Sequence, residues 1–212
     1  MKILIIGDVI SPVLYNSNLK DNPNFKDVEF IISSGDLPFY YYDYIVSNLN
    51  VPLFYVFGNH TRLEDEIIDK EYKKNKKKKS MFVNLDNNVI IFKNLIIAGL
   101  EGSKKYNMEA HQYTENEMRA KILKLTPKLV YNKLKYGRYI DILVTHAPPF
   151  GFEKSDDLCH QGFKVFLKFI ERFKPQYLIH GHIHIYDENQ RKIRIYKSTK
   201  IINSYNYKLI EI

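Results

Sequence analysis

The chain predicts an α/β fold, a four-layer α/β/β/α sandwich of two mixed sheets, and three observations carry that prediction. First, five short apolar runs each deliver polar groups at one end. Residues 3–6 stop at Gly7-Asp8 and residues 30–32 lead through two serines to Gly35-Asp36. Residues 51–57 stop at Gly58-Asn59-His60, residues 140–144 at Thr145-His146, and residues 177–179 at His180-Gly181-His182. Short apolar runs bounded by turn residues read as buried strands, and open α/β sheets present ligand-binding groups at the C-terminal ends of strands. Second, helical patterns separate the early strands. Third, further strands cluster at residues 81–98 and again beyond residue 191. Alternation followed by clustered strands suits two packed mixed sheets with helices outside.

Taken in order, residues 2–6 form a strand stopped by Gly7. Ser11-Pro12 has the signature of a helix start, serine as cap and proline at the first position, and predicts a short helix to Leu19. Asp21-Asn22-Pro23-Asn24 is loop chemistry. Residues 28–32 give the second strand, residues 40–49 a helix closed near Asn50-Val51-Pro52, and residues 51–57 the third strand. Leu63, Ile67 and Ile68 mark one face of a short helix that precedes a basic run at 70–79. Residues 81–85, 89–92 and 95–98 are apolar, and the turns Asp86-Asn87-Asn88 and Lys93-Asn94 between them predict antiparallel hairpins. A long polar loop covers 99–113. Thr114, with Glu117 three residues on, has the spacing of a capping box; it opens a helix to Thr126 that resumes after Pro127 toward Leu134. Residues 155–161 read as loop, and 162–173 as a helix with Phe163, Phe166, Leu167 and Ile170 on one face. Residues 191–212 alternate well enough for two or three antiparallel strands. With no internal repeat and 212 residues, the chain reads as a single domain over 1–212.

Bulk properties exclude several classes. Hydrophobic residues make up 45% of the chain, and no run is long enough to span a membrane. The first apolar run is too short for a secretory leader, and the one cysteine, Cys159, excludes an intrachain disulfide. Both point to a reducing, cytoplasmic setting. The net charge of +8 permits attraction to nucleic acid. Much of that excess sits at residues 70–79, however, and a charge run is usually a solvated segment. Abundant Lys, Asn, Ile and Tyr is also what AT-rich coding gives, so nucleic acid is not the favoured partner.

The Asp, Asn and His side chains at the strand ends offer oxygen and nitrogen donors that suit divalent metals. Asp8, Gly35-Asp36, Gly58-Asn59-His60, His146 and Gly181-His182-Ile183-His184, in that order, resemble the pattern of the calcineurin-like metallophosphoesterases. The first block, Gly7-Asp8-Val9-Ile10-Ser11-Pro12, is similar to that of a small bacterial subgroup reading Gly-Asp-x-x-Ser-Pro. The resemblance also implies the four-layer sandwich. It implies two divalent ions roughly 3.5–4 Å apart, manganese favoured, with iron, zinc or nickel as alternatives. Asp36 would bridge them. One ion would take Asp8, Asp36 and His184, the other Asp36, Asn59, His146 and His182. His60, beside a ligand but not one itself, would stabilise the transition state and protonate the leaving group, as an imidazole can near neutral pH.

A lone histidine at a strand end is usually just a hydrogen-bonded polar residue. Here His60, His146, His182 and His184, four of the seven histidines, fall on motif positions, which sets the bland reading aside for the group. His180 reads as core or supporting residue. The resemblance places Asp157, His160 and Gly162 in a loop beside the pocket, where a following helix N-terminus could receive an anion; helix capping is the competing reading. His111, in the long polar loop, is a weaker substrate-contact candidate. Cys159 reads as a packed side chain. Three positions depart from the family pattern. Ile10 stands where the first block usually has histidine, Thr61 where an acid usually follows the Gly-Asn-His block, and Phe39 where many such phosphatases carry an acid that orients the histidine. The expected function is hydrolysis of a phosphodiester, or a phosphomonoester, by a metal-bridging hydroxide, with a small phosphate ester as substrate. A catalytically weak binding scaffold on the same fold and a nuclease are the alternatives.

Overall fold

The computed structural model describes residues 1–16, 19–107, 109–152, 157–185 and 193–212. Two sheets form the centre. The first has the order β13-β1-β2-β3-β4, from β1 (Lys2–Gly7), β2 (Val28–Ser33), β3 (Leu53–Tyr55), β4 (Phe82–Asn84) and β13 (Asn206–Glu211). β1 to β4 are parallel, and β13 closes one edge antiparallel to β1. The second sheet has the order β11-β12-β10-β9-β6-β5, from β5 (Val89–Phe92), β6 (Leu95–Leu100), β9 (Ile142–Thr145), β10 (Tyr177–His180), β11 (Arg194–Tyr196) and β12 (Thr199–Asn203). Its four inner strands are parallel, and each edge strand is antiparallel to its neighbour. β7 (Ser103–Lys104) and β8 (Gln112–Tyr113) make a small parallel pair within the 99–113 loop.

Strand side chains alternate between faces, and in the inner strands both faces are apolar, as burial on two sides requires. Ile3 and Ile5 of β1, Phe30 and Ile32 of β2, Ile142 and Val144 of β9 and Ile179 of β10 meet in one cluster between the sheets. Leu4, Ile6 and Ile31 face the other way, into a cluster with α1 (Phe39–Leu49). Leu143 and Leu178 face α4 (Glu115–Tyr136) and α5 (Lys164–Phe173) across a third cluster. Three apolar layers between four layers of backbone are the α/β/β/α sandwich the sequence predicts.

Several elements differ from the sequence reading. Ser11-Pro12 opens a turn rather than an α-helix: Leu14 and Tyr15 N–H both donate to the Ser11 carbonyl, and among the described residues before β2 only a 3₁₀ turn follows, at Leu19–Asp21, residues 17–18 of the expected helix lying outside the described part. β4 and β5 are not a hairpin. β4 pairs with β3 in one sheet and β5 with β6 in the other, so the 85–88 turn crosses between sheets. The β5–β6 hairpin does form, with Lys93 and Asn94 both in the left-handed region that a two-residue hairpin turn needs. α4 runs unbroken through Pro127, between the expected capping box at Thr114–Glu117 and a left-handed Gly137. The tail splits: β12 lies parallel to β10, and β13 crosses to β1 in the other sheet. Residues 191–192 of that tail, and residues 155–156 of the loop expected before α5, lie outside the described part.

The basic run is helical. α2 (Leu63–Lys74) extends into it, and α3 (Lys76–Met81) completes it, capped by the Asn75 side chain. The face that α2 buries is not Leu63 and Ile67, which are exposed. It is Asp65, Ile68, Asp69 and Tyr72, with Ile68 and Tyr72 packed on the first helix layer. Asp65 Oδ1 accepts the Phe39 N–H at 2.8 Å, capping α1 from a distance because Pro38 at its own N-cap has no acceptor. The lysines stay mostly exposed; Lys78, half-buried, pairs with Asp43 and lies 4.6 Å from the Tyr72 ring centroid.

Candidate functional site

The polar ends of β1, β2, β3, β9 and β10 converge where the two sheets meet. His146, fully buried after β9, is the centre. Its Nδ1–H donates to the Ser34 carbonyl at 2.8 Å, which turns Nε2 inward. Around Nε2 stand Asn59 Oδ1 at 2.9 Å, His182 Nδ1 at 3.1 Å and Asp36 Oδ2 at 3.2 Å. His182 is oriented the same way: its Nε2–H donates to the Cys159 carbonyl at 3.1 Å, leaving the Nδ1 lone pair facing His146. Four ligand-type atoms from both sheets thus share one spot. Among the described residues, Asp36, His146 and His182 form one of two groups able to hold a metal ion.

Asp8, Asp36 and His182 all have positive φ, at 67°, 57° and 69°. Non-glycine residues in that region are uncommon and cluster at functional sites. The chain turns sharply at each strand end, which swings the side chain back over the strand tips. Two glycines make room. A Cβ on Gly58 would sit 2.1 Å from Asp36 Oδ1, and one on Gly181 would sit 2.7 Å from Asp8 Oδ2. Asp36 Oδ1 also accepts the His60 N–H at 2.9 Å, and Asp8 Oδ1 accepts the His182 N–H at 2.7 Å. Asp8 Oδ2 is buried without a hydrogen-bond partner. A buried carboxylate oxygen with no donor is costly unless a cation or proton meets it.

The electrostatics fit that picture. Burial pushes the Asp8 carboxyl up to about 7, with the neighbouring His146 charge pulling partly against it. Burial also raises Asp36, but the His146 charge and hydrogen bond and the His60 N–H outweigh it together and hold the group at about 2. Burial lowers His146, and the Asp36 charge and hydrogen bond more than compensate, carrying it up to about 9. Burial and the His146 charge push His182 down to about 3. A single proton on His146 Nε2 therefore does what a cation would do there, bonding to three surrounding acceptors.

A cavity of about 380 Å³ opens over this cluster, lined by Asp36, His60, Tyr106, Cys159, His160, His182 and His184 among others. A larger groove of about 810 Å³ runs along Pro12, Asn16, Leu19 and Pro23, but Asp21 is the one acid among its lining residues and it has no histidine. His60 is exposed at the mouth of the smaller cavity. Thr61, where an acid was expected, closes the preceding turn: its hydroxyl donates to the Gly58 carbonyl at 2.9 Å and accepts the Gly58 N–H at 3.1 Å. Phe39 is buried in an aromatic cluster with Tyr42, Tyr55 and Tyr72 and offers nothing to His60. His184 is exposed at the rim, its ring 4.9 Å from that of Tyr205. Asp8 and His184 lie outside the inner cluster formed by Asp36, His146 and His182.

The remaining sequence candidates separate. His160 lines the cavity, stacks on His182 with centroids 4.7 Å apart, and holds the Asp157 carboxylate through Nδ1 at 2.7 Å. The α5 N-terminus is not an open anion site: Glu115 accepts the N–H of Lys164 at 2.8 Å and of Val165 at 3.2 Å. Gly162 is buried against Pro148 rather than lining the cavity. His111 lies apart from this cavity. It sits in a different cleft, between Glu66 at 3.1 Å and Glu101 at 3.2 Å, its ring 5.2 Å from that of Phe57. Two acidic partners from distant segments hold it there, which no local pattern announces. Sequence reasoning missed Tyr106, whose hydroxyl accepts from Asn59 Nδ2 at 3.3 Å. It lies in the long polar loop with no motif to mark it.

Comparison with known proteins bears on the fold and the family. No curated protein sequence matches the chain. Among solved structures, TT1561 of Thermus thermophilus superposes with a TM-score of 0.67 at 13% identity, over 97% of this chain and 89% of that one. A hypothetical protein from the same organism gives 0.53 at 12% identity, over 96% and 75%. At these identities the likeness concerns the fold. The family model described as calcineurin-like phosphoesterase matches residues 1–186, the span that carries every strand-end cluster described above. The chain belongs to the calcineurin-like phosphoesterase family.

Proposed function

We propose that the protein is a metal-dependent phosphoesterase acting on phosphodiesters. The observation that carries the reading is the convergence of Asp36 Oδ2, Asn59 Oδ1 and His182 Nδ1 on His146 Nε2, beside the unpartnered Asp8 Oδ2. The donor set fits divalent ions: two carboxylates, one amide oxygen and imidazoles already held in the ligating tautomer by Ser34 and Cys159. Asn59, His146, His182 and Asp36 would hold one ion; Asp8, Asp36 and His184 the other. Bound there, such ions supply a water acidic enough to act as nucleophile near neutral pH and neutralise charge on the phosphoryl oxygens.

The chain's own residues do the rest. Asp36 fixes the His60 backbone, and Thr61 closes the turn behind it, so the imidazole stands at the mouth where a leaving oxygen needs a proton. Tyr106 accepts from Asn59 and keeps its own hydroxyl proton for an oxygen of the substrate. Among the described residues, neither lysine nor arginine lines the cavity. The exposed mouth leaves room for a substituent on both sides of the phosphate, which supports the diester reading. The test is turnover of a chromogenic phosphodiester and the matching monoester by protein loaded with Mn²⁺. The diester is expected to turn over faster. Phe39 supports a second reading, a binding scaffold, because it puts a buried ring where an acid would orient His60. Full metal occupancy with no turnover of either ester would favour the scaffold.

A further inference from the structure

The second group of metal-ligating side chains lies at the mouth of the same cavity and faces away from the inner cluster. Cys159, His160 and His182 each offer one ligand atom, all within 4.8 Å of one another. Cys159 Sγ is 3.3 Å from His182 Nε2, close to the separation that two ligands of one tetrahedral zinc ion adopt. The Asp157 carboxylate engages His160 Nδ1 at 2.7 and 2.9 Å, the arrangement in which an acid orients a ligating imidazole and leaves Nε2 for the metal. His182 belongs to both groups through opposite ring nitrogens: Nδ1 faces His146 and Nε2 faces Cys159.

We propose that Cys159, His160 and His182 form a separate binding site for one thiophilic divalent ion, Zn²⁺ or Cd²⁺, at the entrance to the cavity. A thiolate and two imidazoles select such ions over manganese or magnesium, whose preferred donors are oxygens. The three side chains leave a fourth position for water, as in an open zinc site. Binding carries a proton balance. The Cys159 thiol loses its proton to solvent as the metal–sulfur bond forms. The His182 Nε2 proton, now given to the Cys159 carbonyl, moves to Nδ1. Nδ1 then becomes a donor to His146 Nε2, whose own proton passes to solvent, and the inner cluster loses one of its four lone pairs. Filling the mouth site therefore opposes filling the inner site. This antagonism rests on the inner metal site of the proposed function; binding at the mouth does not.

The test begins with metal-free protein titrated with Cd²⁺ and followed by the ultraviolet thiolate-to-metal charge-transfer band. The wild type is expected to reach full intensity at one equivalent. Cys159→Ser should abolish the band, and His160→Ala should weaken binding at least 10-fold, the scale of losing a ligand or its support. Asn59→Ala, which removes an inner side chain bonded to His146 and Tyr106 rather than to a mouth residue, should keep the band. No band in the wild type, or a band unchanged in His160→Ala, overturns the site. The antagonism is read separately, by Mn²⁺ affinity with and without one equivalent of Zn²⁺. Wild type should lose more Mn²⁺ affinity than Cys159→Ser, in which Zn²⁺ competes only at the inner site. A band that forms while Mn²⁺ affinity stays unchanged would overturn the antagonism and leave the mouth site standing.

Discussion

His146 Nε2 and His182 Nδ1 face each other at 3.1 Å, each ring having given its other N–H to a backbone carbonyl. Two bare nitrogens in that position would repel, so one carries a proton. It is His146, because Asp36 lies on its side of the pair and raises it to about 9, while His182 is pushed to about 3.

A metal entering this site must displace that proton, and a second ion beside Asp8 must displace the one that burial keeps there up to about 7. Metal uptake should therefore release about two protons below pH 7 and about one between pH 7 and 9. In the metal-free protein both raised values make the folded state the better proton binder. The stability these groups contribute is present at low pH and is lost as pH rises, through about 7 for Asp8 and about 9 for His146. Asp36 has the opposite sign: its contribution is present above the ordinary carboxylate range and is lost as pH falls through about 2. The gain in Tm on adding Mn²⁺ should thus grow with pH. Calorimetric titrations in buffers of different ionisation enthalpy measure the protons released; a release that does not change with pH would contradict the assignment.

His60→Ala should lower kcat for a model phosphodiester by about 100-fold, the lower end of the range for a positioned general acid, because Phe39 and Thr61 leave its ring without the usual acidic support. Metal content, measured by atomic emission, should stay the same, since His60 is outside the inner cluster. Undiminished turnover would remove His60 from the proton-transfer role.

In the proposed assignment Asp8, Asp36 and His184 would supply three ligands to the first ion, where the second would have four. Ile10 cannot coordinate and is 36% exposed. Ser11 is the nearest chain neighbour with a donor to offer: its Oγ is buried with no hydrogen-bond partner. The two ions should bind with unequal affinity, differing by about 10- to 100-fold. Ile10→His should tighten the weaker one and lower the Mn²⁺ concentration for half-maximal rate. Two equally tight sites in the unmodified protein, lost together with Ser11→Ala, would show that Ser11 already replaces the histidine.

Neutralising Lys74, Lys76, Lys77 and Lys79 to glutamine should leave hydrolysis of a small diester unchanged within twofold, because these exposed side chains do not line the cavity. Lys78 is different. Its pairing with Asp43 and its position over Tyr72 tie α3 to α1, so Lys78→Gln should lower Tm by a few degrees, a loss on the order of 1 kcal/mol. Thermal melts of the two variants separate a structural lysine from merely solvated ones.

Strand existence was legible because apolar runs of three to seven residues ended at turn chemistry. Strand partnership was not: the segments at β4 and β5 look alike in sequence, and only the packing of the 85–88 turn sends them to opposite sheets. The inner cluster was legible because Asp36, Asn59, His146 and His182 each follow such a run. Asp65 and Asp69 were not, since a helix face that buries two acids for a remote N–H and the Tyr55 hydroxyl has no hydrophobic period to betray it. The placement of His111 in a separate cleft was hidden for the same reason: its partners Glu66 and Glu101 come from other segments.

The left-handed backbone at Asp8, Asp36 and His182 sets selection for stability against selection for the proposed metal site. A non-glycine residue there costs roughly 1–2 kcal/mol relative to glycine. A library of this chain screened for heat resistance alone should drift toward glycine at these three positions and lose its ligands as it gains melting temperature. Descendants freed from the proposed metal site would follow the same path, so glycines at the tips of β1, β2 and β10 would mark a copy that had given up that site while keeping its fold.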